Sequence, residues 1–417
     1  KITEQTARNP YLSPHPREAR MSSTTPDPGG TPALLPLAPG VLTAQMVSGA
    51  LPFPYKRAYL RPPEWFFRNL LRDTDVTTSD KPYITRMLRT RGRGRLRPAL
   101  AKTPWGFDRR EVSLVVGDGA FDDIDQITDH FTEGARMAAN MRGSPSPLAA
   151  WRDPDSASEI AAAAVAAGRR AGGVSLYHLR EAAYEHIPEC TLFKVSLAAA
   201  VYAYFDAKVV LDPFGGWGDR GLGAAGAGVT KYVGLDPNPA LVAGHGEIVE
   251  FLGRVAPGAD IVYRSMPVEA YGPAEFAADF GDAPPTLAFS SPPFHDYEIY
   301  SDDPDQSTRY TTLEAWIAEW FLPALDRVWG ALAPGGHLAL YLTDEGGEVT
   351  TPLCDHMAEK KRAFRGVIAC RRGTKRPLPL WVWQKGADEA VAVPPVEVDQ
   401  TMDDYVAALL EEIYAEM

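Results

Sequence analysis

Residues 211–220 read LDPFGGWGDR. The segment leading into them, KVVLD at 208–212, is a short apolar, β-branched run ending in an acid, which is the pattern of a buried parallel strand. Gly215, Gly216 and Gly218 follow at once and place a tight turn where strand passes into helix. The run Gly216-x-Gly218-x-x-Gly221 also fits the dinucleotide fingerprint, with Asp236 about 20 residues downstream, where that fingerprint wants a ribose-binding acid. On pattern alone, an NAD enzyme is a rival reading. Electrostatics argues against it: a pyrophosphate needs backbone N–H groups and a helix N-terminus, and an acid at the strand tip repels it.

Two further stretches belong with the first. VGLDPN at 233–238 is a second strand ending in an acid. TLAFSSPPF at 286–294 is an apolar strand stopped by two prolines, which lack an N–H and fix their own φ. The carbonyls around the Pro-Pro pair lose ladder partners and are free to face a ligand.

The glycine stretch resembles the S-adenosylmethionine loop of class I methyltransferases. SSPPF resembles the [Asp/Asn/Ser]-Pro-Pro-[aromatic] tetrapeptide of the amino-methyltransferases, which methylate an exocyclic NH2. The resemblance covers roughly residues 120–385 and implies S-adenosylmethionine as cofactor. Asp212 would hold the methionyl end, whose ammonium and sulfonium suit an acid, beside Phe214, Gly215, Gly216 and Gly218 of the loop. Asp236 would take the ribose hydroxyls, Pro237 and Asn238 would lie near the adenine, and Ser290 would complete the cofactor side.

An aryl amine is a poor nucleophile, so the site must hold its hydrogens while nitrogen turns towards tetrahedral geometry. The resemblance gives that task to Ser291 and the carbonyl of Pro292, followed by Pro293, with Phe294 stacked on the target ring. Ser291 is no strong base, so the chemistry is positioning of nitrogen against methyl, the proton leaving after transfer. Serine at this place leans towards the N4 amine of cytosine; Asp or Asn is commoner for adenine N6. The polar, aromatic segment HDYEIYSDDPDQSTRY at 295–310 reads as a loop over the pocket, with His295, Glu298 and Tyr300 as substrate contacts or as parts of a solvated connection. Similar segments occur in a group of phage and large-virus methyltransferase-like proteins. Phe193 and Lys194 sit where the family places a methionine-contacting segment, and Glu269 is a candidate on the adenine side or, equally, a surface residue. LAPGGHLALYLTD at 332–344 and RPLPLWVWQK at 376–385 resemble the family's later strands.

The chain has 417 residues, 45 % of them hydrophobic and 23 % charged, an ordinary globular composition long enough for two domains. No run approaches the roughly 18 apolar residues of a membrane span, and no secretory pattern opens the sequence. The cysteines Cys190, Cys354 and Cys370 are far apart and odd in number, which points to reduced thiols and a cytoplasmic protein. They form no zinc pattern, and no metal is expected. A net charge of −12 weighs against a general nucleic-acid coat. Two basic segments stand out from it: 86–97 with six arginines, and 360–376. They fit either a local phosphate-binding groove for DNA or RNA or, equally, a mobile loop and a charged hairpin.

Along the chain, residues 1–50 read as a flexible Pro-rich tail, with Met21 a candidate native start. Residues 51–175 read as a mainly helical accessory, substrate-recognition domain. It includes a helix at 122–141 and another opened by a Ser156/Glu159 capping box and ended at Gly172–Gly173. Residues 176–390 read as a Rossmann-like α/β domain of class I methyltransferase type, with a mostly parallel seven-stranded sheet. Residues 391–417 end in an amphipathic helix. The favoured reading is an N-methyltransferase for an exocyclic amine of a nucleobase in DNA or RNA. The alternatives are a small-molecule methyltransferase acting on a nucleoside, peptide or natural-product amine, and an inactive cofactor-binding partner subunit.

Overall fold

The computed structural model describes residues 35–36, 38–70, 74–79, 111–116, 124–141, 143–301, 305–306, 309–342, 347–372 and 378–394. The strands in chain order are β1 (Thr74–Ser79), β2 (Glu111–Val116), β3 (Asn140–Met141), β4 (Val209–Asp212), β5 (Lys231–Asp236) and β6 (Asp260–Ser265). Then follow β7 (Leu287–Ser290), β8 (Glu298–Ile299), β9 (His337–Tyr341), β10 (Ala363–Arg372) and β11 (Leu378–Gln384).

Nine of these strands make one sheet in the order β1-β2-β10-β11-β9-β7-β4-β5-β6. Strands β4, β5, β6, β7 and β9 run parallel, while β11 is antiparallel to both β9 and β10. The central strands are buried on both faces because successive side chains alternate between two cores. Val210, Tyr232, Leu287 and Phe289 face one core with the helices Val195–Tyr204, Asp219–Gly226 and Val242–Val255. Leu211, Val233, Ala288 and Leu340 face the other, with the helices Pro273–Phe280, Thr350–Glu359 and the long helix 313–331. That last helix contains a π-helical turn, Trp316–Phe321.

The domain is Rossmann-like α/β, a mostly parallel sheet with helices on both faces. Its inserted antiparallel strand β11 separates it from the dinucleotide-binding sheet of order 3-2-1-4-5-6. The chain runs outward from β4 through β5 to β6 and then returns to place β7 on the other side of β4. Ligands of such sheets bind at this reversal, outside the carboxyl ends of the strands.

Several sequence expectations change. The sheet is nine-stranded, because residues 74–79 and 111–116 of the accessory region extend it beyond β10. That region is therefore not purely helical. The boundary near 175 also falls inside a packed unit: Leu179 and Ala183 of helix Leu176–His186 share a core with Trp151, Ile160 and Ala164. Phe66, Leu70 and Ile127 pack instead with one core of the large sheet. The stretch given to a tail contains the helix Pro39–Ser48, whose Leu42 and Met46 are buried in the helical unit. The helix after residue 150 starts at Pro154, because the Asp153 carboxylate caps it by accepting from the Ser156 N–H at 2.9 Å. The helix expected at 122–141 begins at Asp129, after a 3-10 turn, and the chain then extends into β3. Residues 1–34, the arginine run 86–97 and the C-terminal helix expected within 401–417 lie outside the described residues. No described helix is long and apolar enough to cross a membrane. The three cysteines are buried and form no disulfide.

Candidate functional site

The glycine loop leaves β4 and enters helix Asp219–Gly226 as its composition requires. Gly218 caps that helix at φ +99°, and a Cβ there would lie 2.4 Å from Ile248. A Cβ on Gly221 would lie 2.0 Å from the Tyr263 hydroxyl oxygen, so only glycine allows the helix this close to the sheet. The carbonyls of the loop are pinned from behind. His245 Nε2 donates to Gly216 O at 2.9 Å, Thr132 Oγ1 to Trp217 O at 2.9 Å, and the Tyr263 hydroxyl to Gly218 O at 3.0 Å. The His245 ring stacks on Tyr263 with centroids 4.0 Å apart, and burial lowers its pKa to about 4. It is therefore a neutral donor at pH 7.

Asp212, at the tip of β4, is fully buried. Its Oδ2 accepts from Arg220 Nε at 2.7 Å and from the Tyr232 hydroxyl at 2.6 Å. Its Oδ1 accepts from Ser290 Oγ at 2.6 Å, Arg220 Nη2 at 3.3 Å and the Phe214 N–H at 3.3 Å. A carboxylate offers about four lone-pair sites. Asp212 thus has none to spare for a methionyl ammonium, and the role expected of it is corrected: it organises the loop. Ser290, buried and donating to Asp212, likewise faces the interior and not a ligand. The Phe214 ring packs into the core against Trp320, and the Phe214 carbonyl accepts from Arg220. Because Arg220 neutralises Asp212, repulsion at the strand tip does not exclude a dinucleotide.

Asp236 ends β5 with both oxygens turned to the loop. Oδ2 accepts from the Gly216 N–H and Oδ1 from the Asn238 N–H, each at 2.9 Å, which leaves each oxygen further lone-pair capacity. Burial of the carboxyl pushes its pKa up to about 6, although the residue as a whole is half-buried. Gly215 is locked by its N–H to Leu235 O at 2.6 Å. Pro237 is half-buried. Asn238 is buried; its Oδ1 accepts from the Ala240 N–H, while Nδ2 has no partner among the described residues.

The tetrapeptide begins where β7 stops. Ser291, Pro293 and Phe294 are half-buried and Pro292 is buried. No described residue engages the Ser291 hydroxyl. Phe294 packs on the edge of the core that holds Trp316 and Trp320. His295 takes φ +42° and donates from Nε2 to Tyr310 O at 2.8 Å, closing the loop on itself.

Glu298 and Tyr300 are engaged within the fold. Glu298 is buried in β8, which pairs with β3 of the accessory region. Its carboxylate accepts from the Thr191 N–H at 2.9 Å and the Tyr300 hydroxyl at 2.8 Å. The Tyr300 ring meets the edge of Trp217, 5.6 Å away. These two residues fasten the loop after the tetrapeptide to the segment ahead of helix Val195–Tyr204. Phe193 stacks under the Arg220 guanidinium at 5.3 Å, and Lys194 faces Asp125 at 3.9 Å. Glu269, in the turn after β6, is paired with Arg309 of the segment after the tetrapeptide. Of the basic segment 360–376, Lys360 and Arg362 face Asp326 at 3.8 Å and 2.7 Å, so part of its charge is already compensated.

Sequence reasoning missed Arg220, Tyr232, His245, Tyr263 and Thr132. Arg220 lay inside the quoted motif, and the question of what compensates a buried strand-tip acid would have found it. The others come from distant segments and left no local signal.

No protein-family model matches the chain, and no curated protein does. Among solved structures it is similar to TrmN from Thermus thermophilus, at 18 % identity over 46 % of this chain and 49 % of that one, TM-score 0.32. The match thus spans about half of the TrmN chain. It is also similar to the magnesium protoporphyrin IX methyltransferase of Synechocystis PCC 6803 with bound S-adenosylmethionine, at 11 % identity over 46 % and 79 %, TM-score 0.32. A third is the branched-chain polyamine synthase of Thermus thermophilus, at 14 % identity over 49 % and 59 %, TM-score 0.33.

Proposed function

We propose that this chain is an S-adenosylmethionine-dependent N-methyltransferase acting on an exocyclic amine, that of a nucleobase in DNA or RNA, with cytosine N4 ahead of adenine N6. One observation carries the reading: the glycine loop and the tetrapeptide leave neighbouring parallel strands, β4 and β7, at the reversal of the sheet. Adjacent strands lie about 4.8 Å apart. Cofactor loop and amine acceptors therefore face one crevice.

The residues suit the cofactor with one exception. Asp236 keeps acceptor capacity for two ribose hydroxyls, and the orphaned Asn238 Nδ2 is a buried donor on the same side. Asp212 does not suit the ammonium, as its partners fill it. The cofactor supplies an electrophilic methyl group. Ser291 Oγ and the Pro292 carbonyl accept the amine hydrogens, and Phe294 holds the ring face. Catalysis is alignment of nitrogen with methyl, with no strong base required.

The experiment is calorimetric titration with S-adenosylhomocysteine beside NAD, then transfer of labelled methyl to single-stranded DNA, RNA and free nucleosides at two salt concentrations. Binding of NAD alone would sink the proposal. A small-molecule amine is the second reading, favoured by the net charge of −12. Turnover on nucleosides that ignores salt would select it, since binding to a phosphate backbone weakens steeply with salt.

A further inference from the structure

We propose that Ser290, acting through Asp212 and Arg220, is a positioning residue that holds the tetrapeptide in register with the cofactor loop. The inference rests on the methyltransferase reading and assigns it a component that the motif itself does not contain.

Backbone pairing between β4 and β7 covers Val210 with Leu287 and Leu211 with Ala288, and towards the tetrapeptide it goes no further. Beyond Ser290, Ser291 is followed by two prolines that have no N–H to give a ladder. The end of β7 next to the loop is therefore tied to β4 by a side chain: Ser290 Oγ donates to Asp212 Oδ1 at 2.6 Å, with both residues fully buried. On its other flank β7 is already fixed, because Ser290 pairs with Leu340 of β9.

Asp212 is in turn tied to the cofactor loop. Arg220, from the helix that the loop opens, grips it through Nε and Nη2 and also donates to the Phe214 carbonyl. The Tyr232 hydroxyl holds the same carboxylate from β5. One buried carboxylate thus joins β4, β5, β7 and the helix of the loop. Ser291 is the next residue after the last link. Misplacing a reacting group by about 1 Å can cost about 10²-fold in rate, so such a link has a catalytic consequence without touching substrate.

The test needs no substrate. Sinefungin carries a C–NH2 group where S-adenosylmethionine carries S–CH3, so its amine stands at the place of the methyl and donates to whatever accepts the substrate amine. S-adenosylhomocysteine lacks that group. The wild-type protein is expected to prefer sinefungin by about tenfold, the scale of one charge-assisted hydrogen bond. Ser290→Ala should remove that preference while the dissociation constant for S-adenosylhomocysteine stays within about threefold. Ser290→Thr, which keeps the hydroxyl, should retain it. Because Ser290 acts through Ser291, the double variant Ser290→Ala/Ser291→Ala should lose no more than either single one.

A thermal melt of each variant reports whether the fold survives, and the Ser290→Thr arm keeps the test open should the alanine variant not fold. A retained preference in Ser290→Ala, additive losses in the double variant, or no sinefungin preference in a wild type that binds S-adenosylhomocysteine would each overturn the relay alone. A wild type that binds neither ligand would overturn the cofactor reading and the relay with it.

Discussion

Arg220 Nε lies 2.7 Å from Asp212 Oδ2, with the two side chains only 5 % and 0 % exposed. The guanidinium is held charged, its pKa raised by Asp212 against the opposing effect of burial. A buried pair of this kind is weak support for stability as a whole but costly to break, because the survivor is left as an uncompensated charge. Arg220→Ala should lower unfolding stability by about 3–5 kcal/mol, read by urea denaturation. Asp212→Leu/Arg220→Met should cost much less than the two single changes summed. A single variant as stable as wild type would mean that the pair does not organise the loop.

Asp236 should make cofactor binding depend on pH. Burial raises its pKa from 3.8 to about 6, so the ionised acceptor is lost in the folded protein as pH falls below about 6. Ribose hydroxyls donate to the ionised form, so affinity rises with pH through that range and levels off above it. S-adenosylhomocysteine should bind about tenfold more weakly at pH 5 than at pH 7.5. Asp236→Asn should be weaker throughout and flat with pH. An Asp236→Asn profile parallel to wild type would assign the titration elsewhere.

His245 gives an acid-sensitivity of opposite origin. Its folded pKa is lowered from 6.5 to about 4, so the neutral ring is favoured by folding. That contribution is present in full above pH 6.5 and is lost as pH falls towards 4, where protons bind the unfolded chain first. The loss across that range amounts to about 3 kcal/mol, from roughly two and a half pK units. His245→Gln should flatten the fall in stability between pH 6.5 and 4, measured by denaturant unfolding at several pH values. An unchanged slope would mean that other groups set the acid limit.

The sequence exposed what local pattern can carry. Apolar runs ending in Asp212 and Asp236, and the run halted at Pro292, marked three strands and the end of the sheet at which ligands bind. The side-chain roles failed where a partner came from far along the chain. Asp212 read as a ligand acid because nothing local says that Arg220 folds back onto it and that Ser290 arrives from β7. Glu298 and Tyr300 read as pocket residues because their polarity is visible, whereas their burial against Thr191 and Trp217 depends on β8 pairing with β3. The strands β1 and β2 were missed for the same reason: β2 is placed by parallel pairing with β10, some 250 residues downstream, and TDVTTS of β1 has little apolar signal.

Ser291 and Phe294 should separate chemistry from binding. Ser291 makes no hydrogen bond to a described residue, so removing its hydroxyl leaves no interior partner unsatisfied. Ser291→Ala should therefore fold normally, bind S-adenosylhomocysteine as wild type does, and lose turnover by about 10²-fold on whichever amine proves to be the substrate. Phe294 is half-buried against the core beneath it. Phe294→Ala should weaken substrate binding by roughly 1–3 kcal/mol if the ring stacks a base. Single-turnover kinetics distinguishes the two, since the first change slows the transfer step and the second raises the substrate concentration needed to reach it. An undiminished transfer rate in Ser291→Ala would remove the hydroxyl from the mechanism and leave the Pro292 carbonyl as the acceptor to test.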